Sequence, residues 1–110
     1  MLKTKEALEK ELVELKKIHG IVRSMEVPLD SDTDEIATIF LAKPDNTIRS
    51  IVMGLADKNK TKQAVEACLK KLHIGGDDLS VILNSEDAIF SAESGVVELL
   101  SVQKAVLKKN

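Results

Sequence analysis

The chain has 110 residues, 31% of them charged with both signs interspersed, a net charge of −2 and a hydrophobic content of 44%. That is the length of one domain with one modest core, which Leu, Ile, Val and Ala must fill because there are two Phe and no Trp or Tyr. The chain lacks the basic stripe and stacking aromatics of a nucleic-acid binder, and a single cysteine excludes an intrachain disulfide or a cysteine metal cluster.

The opening MLKTKEALEKEL is too charged for a secretory signal, and no apolar run approaches membrane-spanning length. A cytoplasmic protein with no membrane partner is expected. Residues 4–19 read as a helix. Leu8, Leu12, Leu15 and His19, spaced 4, 3 and 4 apart, line one face, with Lys and Glu at most other positions. Thr4 suits the N-cap, Lys16 and Lys17 suit the negative C-terminal end, and Gly20 suits the residue that follows. The leucine seam spans about two heptads, too short for a coiled coil. It packs on its own domain or pairs with another subunit or partner helix.

Over residues 21–29 the period changes to two, with Ile21, Met25, Val27 and Leu29 of one parity and Pro28 marking an edge strand or a strand end. The polar run Asp30 to Asp34 connects it to a second strand. There Ile36, Thr38 and Phe40 alternate with Ala37, Ile39 and Leu41, so both faces must be covered. Pro44 stops this strand and Asp45 caps a helix over 46–57, whose inward face is Ile48, Ile51, Val52, Leu55 and Ala56. After a break at 57–60, a helix over 60–73 turns Ala64, Val65, Cys68, Leu69 and Leu72 inward. Residues 74–78, Ile-Gly-Gly-Asp-Asp, are predicted as a turn because paired glycines disfavour any regular element.

The remainder is helical but segmented. Asp78 starts a short turn through Leu79, Ile82 and Leu83, and Asn84 or Ser85 caps a further helix with Glu86 and Asp87 in its first turn. Its apolar face is Ala88, Ile89, Ala92, Val96, Leu99 and Leu100, and Ser94-Gly95 either kinks it or admits another helix closely. Val102, Val106 and Leu107 end the apolar pattern. The fold class is therefore α+β over residues 1–110. An N-terminal helix (an interaction arm in one reading) and an antiparallel β-hairpin open to a strand of another subunit precede a mainly helical C-terminal half of four to five helices.

Candidate chemistry is sparse. Asp30, Asp32 and Asp34 have the 1, 3, 5 spacing of a calcium loop. Glu35 stands where the turn glycine belongs and Leu41 where the bidentate glutamate belongs, so a solvated hairpin loop is expected, with weak divalent-ion binding as the alternative. Gly75-Gly76-Asp77-Asp78 has the look of a nucleotide-cyclase hairpin without a second metal-binding carboxylate. Cys68 falls on an inward helical face with no base beside it, which makes it structural. His19 and His73 fall at helix C-termini, where the dipole explains them. No P-loop, dinucleotide fingerprint, nucleophile elbow or HExxH motif occurs. A protein with no catalytic residue, cofactor or metal is expected.

The stretch MEVPLDSDTDEIATIFLAKPDNTIRSIV, residues 25–52, is a strand, a polar turn, a strand ending in a basic residue and proline, and an amphipathic helix. AVEACLKKLHIGGDD, residues 64–78, is a helix followed by a glycine-acid turn. In that order they resemble the tail assembly chaperones of long-tailed bacteriophages and prophages, over roughly residues 22–100. The resemblance implies a non-enzymatic protein that self-associates, coats the tape measure protein and recruits tail-tube subunits. Leu8, Leu12 and Leu15, with Val96, Leu100 and Val106, are then the candidate protein-binding positions. It also implies a frameshifted longer product, for which Lys108-Lys109-Asn110 is the place to look for an A-rich slippery run. The alternative is a small adaptor or antitoxin-like module that pairs through the N-terminal helix.

Overall fold

The computed structural model describes residues 2–101, 107 and 109. Its elements run α1 (Lys5–His19), β1 (Val22–Pro28), β2 (Ile36–Ala42), α2 (Asn46–Asp57), α3 (Thr61–Leu72), β3 (His73–Gly76), α4 (Ser80–Leu83) and α5 (Glu86–Leu100). The architecture is α+β, with N-terminal helix, hairpin and helical part in the expected order. No helix among the described residues is long and apolar enough to cross a membrane.

Local chemistry sets most element ends. Thr4 accepts a hydrogen bond from the Ala7 amide at 3.2 Å, and Gly20, with φ +77°, closes α1 by donating its N–H to the Lys16 carbonyl. Asp45 accepts from the Ile48 amide at 2.8 Å and starts α2 just after Pro44. Ser85 accepts from Ala88 and also donates its hydroxyl to the Leu29 carbonyl at 3.1 Å, so one cap tethers α5 to the hairpin loop. That loop is turned by Asp30, whose carboxylate accepts the Asp32 amide at 2.8 Å.

The sheet has the order β1-β2-β3, all antiparallel, with β1 and β2 in register from Val22 opposite Ala42 to Pro28 opposite Ile36. The central place of β2 explains why it is apolar on both faces. Ala37, Ile39 and Leu41 point into the core with Val65, Cys68, Leu69, Ile82, Ile89 and Val96, where α3 and α5 cover them. Phe40 points the other way, pairs with Gly75 of β3, and is 1% exposed under α1. Burying a side chain of this size contributes about 1.5–3 kcal/mol.

The third strand corrects the sequence reading. Residues 73–76 do not form a turn; they extend the hairpin from within the same chain. Averaged over strands, glycine is penalised for its backbone entropy and missing side chain, which is why the pair reads as a break. Here the missing Cβ is what the packing needs. A methyl on Gly75 would lie 2.7 Å from Leu15 Cδ1 and against the Glu11 carboxylate. Gly76 takes φ +89°, and a methyl there would lie 2.5 Å from the Thr38 carbonyl oxygen. Gly95 has a related role, for a methyl on it would lie 2.8 Å from Met25 Cε. It admits strand β1, not another helix, and α5 runs unbroken through it.

The helix α2 differs from its predicted face. Val52 alone is buried, Ile48 and Leu55 are half-buried, and Ile51 and Ala56 are exposed. The reason is position: α2 lies at the margin of the molecule with α3 as its main neighbour, so one narrow stripe is covered. Val102 and Val106 lie outside the described residues.

Candidate functional site

The reactive side chains that the fold gathers are those of the β3 end of the sheet. Asp77, 2% exposed, accepts the Lys3 amide on Oδ1 at 2.7 Å and the Thr38 amide on Oδ2 at 2.8 Å, while its own N–H donates to the Thr38 carbonyl at 2.7 Å. Its carboxylate therefore continues the sheet ladder one step beyond Gly76 and pins the chain's N-terminal segment there. Glu11 reaches down from α1, accepting the Gly76 amide at 2.9 Å and the Lys3 ammonium at 2.7 Å. His73 Nε2 donates to the Asp77 carbonyl at 3.1 Å. Partial burial pushes the Glu11 carboxyl up, but the Lys3 and Gly76 hydrogen bonds and the nearby positive charge outweigh it and hold it below its ordinary value. The exposed Asp78 carboxyl is also held low, chiefly by the backbone N–H and the hydroxyl of Ser80.

The Asp77 and Glu11 bonds tie the end of β3 to β2, to α1 and to the N-terminal segment, so the cluster acts as a clamp. Elsewhere, Cys68 is fully buried and burial pushes its thiol up to about 11, so it carries no thiolate at neutral pH. Among the described residues no group of three or more His, Cys, Asp or Glu side chains is arranged to hold a metal. A hollow of about 490 Å³ between β1 and α5 is lined by Ser91, Ser94 and Ser101 among others. Their hydroxyls donate to the Asp87, Ser91 and Val97 carbonyls of α5 itself.

The other surface feature is apolar. Phe90 of α5 is 78% exposed and Val97 is 62% exposed. They are two helical turns apart and so share a face, with Glu86 and Glu93 interleaved at the 4, 3, 4 spacing of one stripe. Beside Phe90 a slot of about 440 Å³ opens between α3 and α5, walled by Thr61, Lys62 and Val65 on one side and Glu86, Ile89 and Glu93 on the other. Its neighbour, a shallower hollow, joins Phe90 to Val97 past the small side chain of Ser94.

The residues singled out from sequence distribute differently. Leu8, Leu12 and Leu15 are half-buried, on the side of α1 that lies on the sheet, with Leu15 against Gly75. Val96 is 3% exposed and belongs to the core, which corrects its assignment to a binding surface. Leu100 is half-buried against the same core, and Val106 lies outside the described residues. Phe90, Val97 and Glu11 were missed. Phe90 and Val97 could have been found by asking which large apolar residues of the last helix fall off its predicted inward face. Glu11 sits three residues after Leu8 and four before Leu15, on the seam, where a solvated glutamate is out of place.

No protein-family model matches the chain, and no curated protein or solved structure gives a significant match to it.

Proposed function

We propose that this chain is a non-enzymatic protein-binding module that acts as a tail assembly chaperone in the host cytoplasm. It holds apolar stretches of a long helical tape measure protein and brings tail-tube subunits to it. The observation that carries the binding half of this reading is the exposure of Phe90 and Val97 on one face of α5 beside an open slot, with Ile51 and Met53 exposed on α2. An apolar stripe rimmed by charge is what a helix-in-groove contact uses. The identity of the partner rests on the resemblance of residues 25–52, whose strand, turn, strand, proline and helix order is the order of β1, β2 and α2.

Pairing through the α1 leucines, which the adaptor alternative needs, is less well supported because Leu8, Leu12 and Leu15 lean on the chain's own sheet. The test is an affinity pull-down from a lysate of the native or prophage-induced host, read by mass spectrometry. Recovery of a very long helical protein encoded beside this gene, together with a tube protein, supports the chaperone reading. Recovery of the chain alone or of a small toxin-like protein sinks it.

A further inference from the structure

We infer that the slot between α3 and α5 holds an amphipathic helix whose apolar side chains seat beside Phe90 and Val97 and whose flanks carry lysine or arginine. The inference deepens the protein-binding reading and names the chemistry of the partner segment. The slot is bounded by two helices and offers no strand edge, so a strand has nothing to pair with there. Phe90 and Val97 stand about 10.5 Å apart along the axis at 1.5 Å per residue, the two-turn repeat that a facing helix presents. Ser94 between them leaves a saddle into which a ridge of side chains fits.

Charge selects the occupant. On the side of the slot α5 carries Glu86 and Glu93 and no lysine or arginine, and Lys62 of the α3 wall is the one cation among the described residues lining it, while Glu98 lines the hollow toward β1. Among the described residues only Glu86 of these has an ion-pair partner, Lys62 at 3.8 Å, with both side chains largely in solvent. Glu93 and Glu86 alternate with Phe90 and Val97, so any side chain seated on the apolar positions lies next to a carboxylate. A second copy docking symmetrically through the same face would set these acids against each other, which disfavours it. A helix with cationic flanks meets them with opposite charge, and its long stems also cover apolar surface.

The experiment titrates the full chain into two fluorescein-labelled synthetic amphipathic helices about three heptads long. Both have leucine at the core positions, and they differ only in lysine or glutamate on the flanks. Fluorescence anisotropy should show saturable binding of the lysine peptide and at least about tenfold weaker binding of the glutamate peptide. Phe90→Ala should weaken the lysine peptide by about tenfold or more. Glu93→Lys should narrow the gap between the two peptides. Phe90 is exposed and Glu93 half-buried at the slot, so circular dichroism should show parent-like folding for both variants. Binding of neither peptide, equal binding of both, or binding unchanged by Phe90→Ala would overturn the inference. So would a change in the chain's own sedimentation on Phe90→Ala, which would assign the face to a second copy. Failure here and failure of the chaperone reading are separable. Tape measure and tube proteins recovered equally by parent and Phe90→Ala would keep that reading and remove this site. Peptide binding that behaves as expected, with no such proteins recovered, would do the reverse.

Discussion

Replacing Gly76 by alanine probes the feature on which the sheet and its N-terminal cover both depend. Gly76 is buried at φ +89°, and an added methyl would lie 2.5 Å from the Thr38 carbonyl oxygen and 2.8 Å from Ile39 Cα, both backbone atoms of the central strand. The left-handed conformation costs an L-residue about 1–2 kcal/mol. Overlap with backbone adds about 1–3 kcal/mol as the strands shift to relieve it. The sum, about 2–5 kcal/mol, is a large share of the 5–15 kcal/mol that holds a domain of ordinary stability together. Gly20 differs, since its φ of +77° is joined to a ψ of −96° and no atom of the described residues lies within 4 Å of where its Cβ would be. Gly20→Ala therefore carries a backbone penalty of its own and no overlap with a neighbouring strand. Urea unfolding followed by far-UV circular dichroism suits a chain with no Trp or Tyr. With a slope of about 1–3 kcal/mol per molar, Gly76→Ala should lower the midpoint by roughly 1–5 M. A Gly76→Ala midpoint equal to the parent's would refute the close approach of β3 to β2 and return residues 74–78 to a simple turn.

Other perturbations of the same clamp follow the same logic. The Glu11 carboxyl is depressed in the folded state, so the stability it contributes is present above its unfolded value of 4.5 and is lost as pH falls through the folded value. Glu11→Gln should lower stability at pH 7 by about 1–2 kcal/mol. Its stability should then decline less steeply than the parent's below pH 4.5, as denaturant titrations at several pH values would show. Asp77→Ala removes the acceptor for the Lys3 and Thr38 amides and should cost about 2–4 kcal/mol. It should also raise hydrogen exchange at Thr38, and unchanged protection there would contradict the assigned bond. Ser85→Ala loses the α5 cap and its link to Leu29 and should cost about 1–2 kcal/mol in thermal unfolding.

Several elements were legible because their causes are local. Thr4 and Gly20 bracket α1, Pro44 and Asp45 separate β2 from α2, and Ser85 opens α5, each within a few residues of the atom it bonds. The alternation of residues 36–41 required cover on both faces, and the inward placement of Cys68 and Leu69 followed from helical period. The misread positions have causes far away in the chain. Gly75 and Gly76 look like a break until Glu11, 65 residues from Gly76, and Thr38 are placed against them.

Sequence period alone determined where the helices and the hairpin lie and which stripe of each is apolar, because backbone hydrogen bonds and rotamer sterics act over a few residues. It did not determine how much of each stripe finds a neighbour. Leu8, Leu12 and Leu15 stay half-buried because α1 rests on a narrow sheet, and Ile51 stays exposed because α2 has one main companion. Val96 vanishes into the core while Phe90, on the same helix, stands in solvent. Tertiary packing decided those outcomes, since apolar area is removed from water only where another element arrives to cover it.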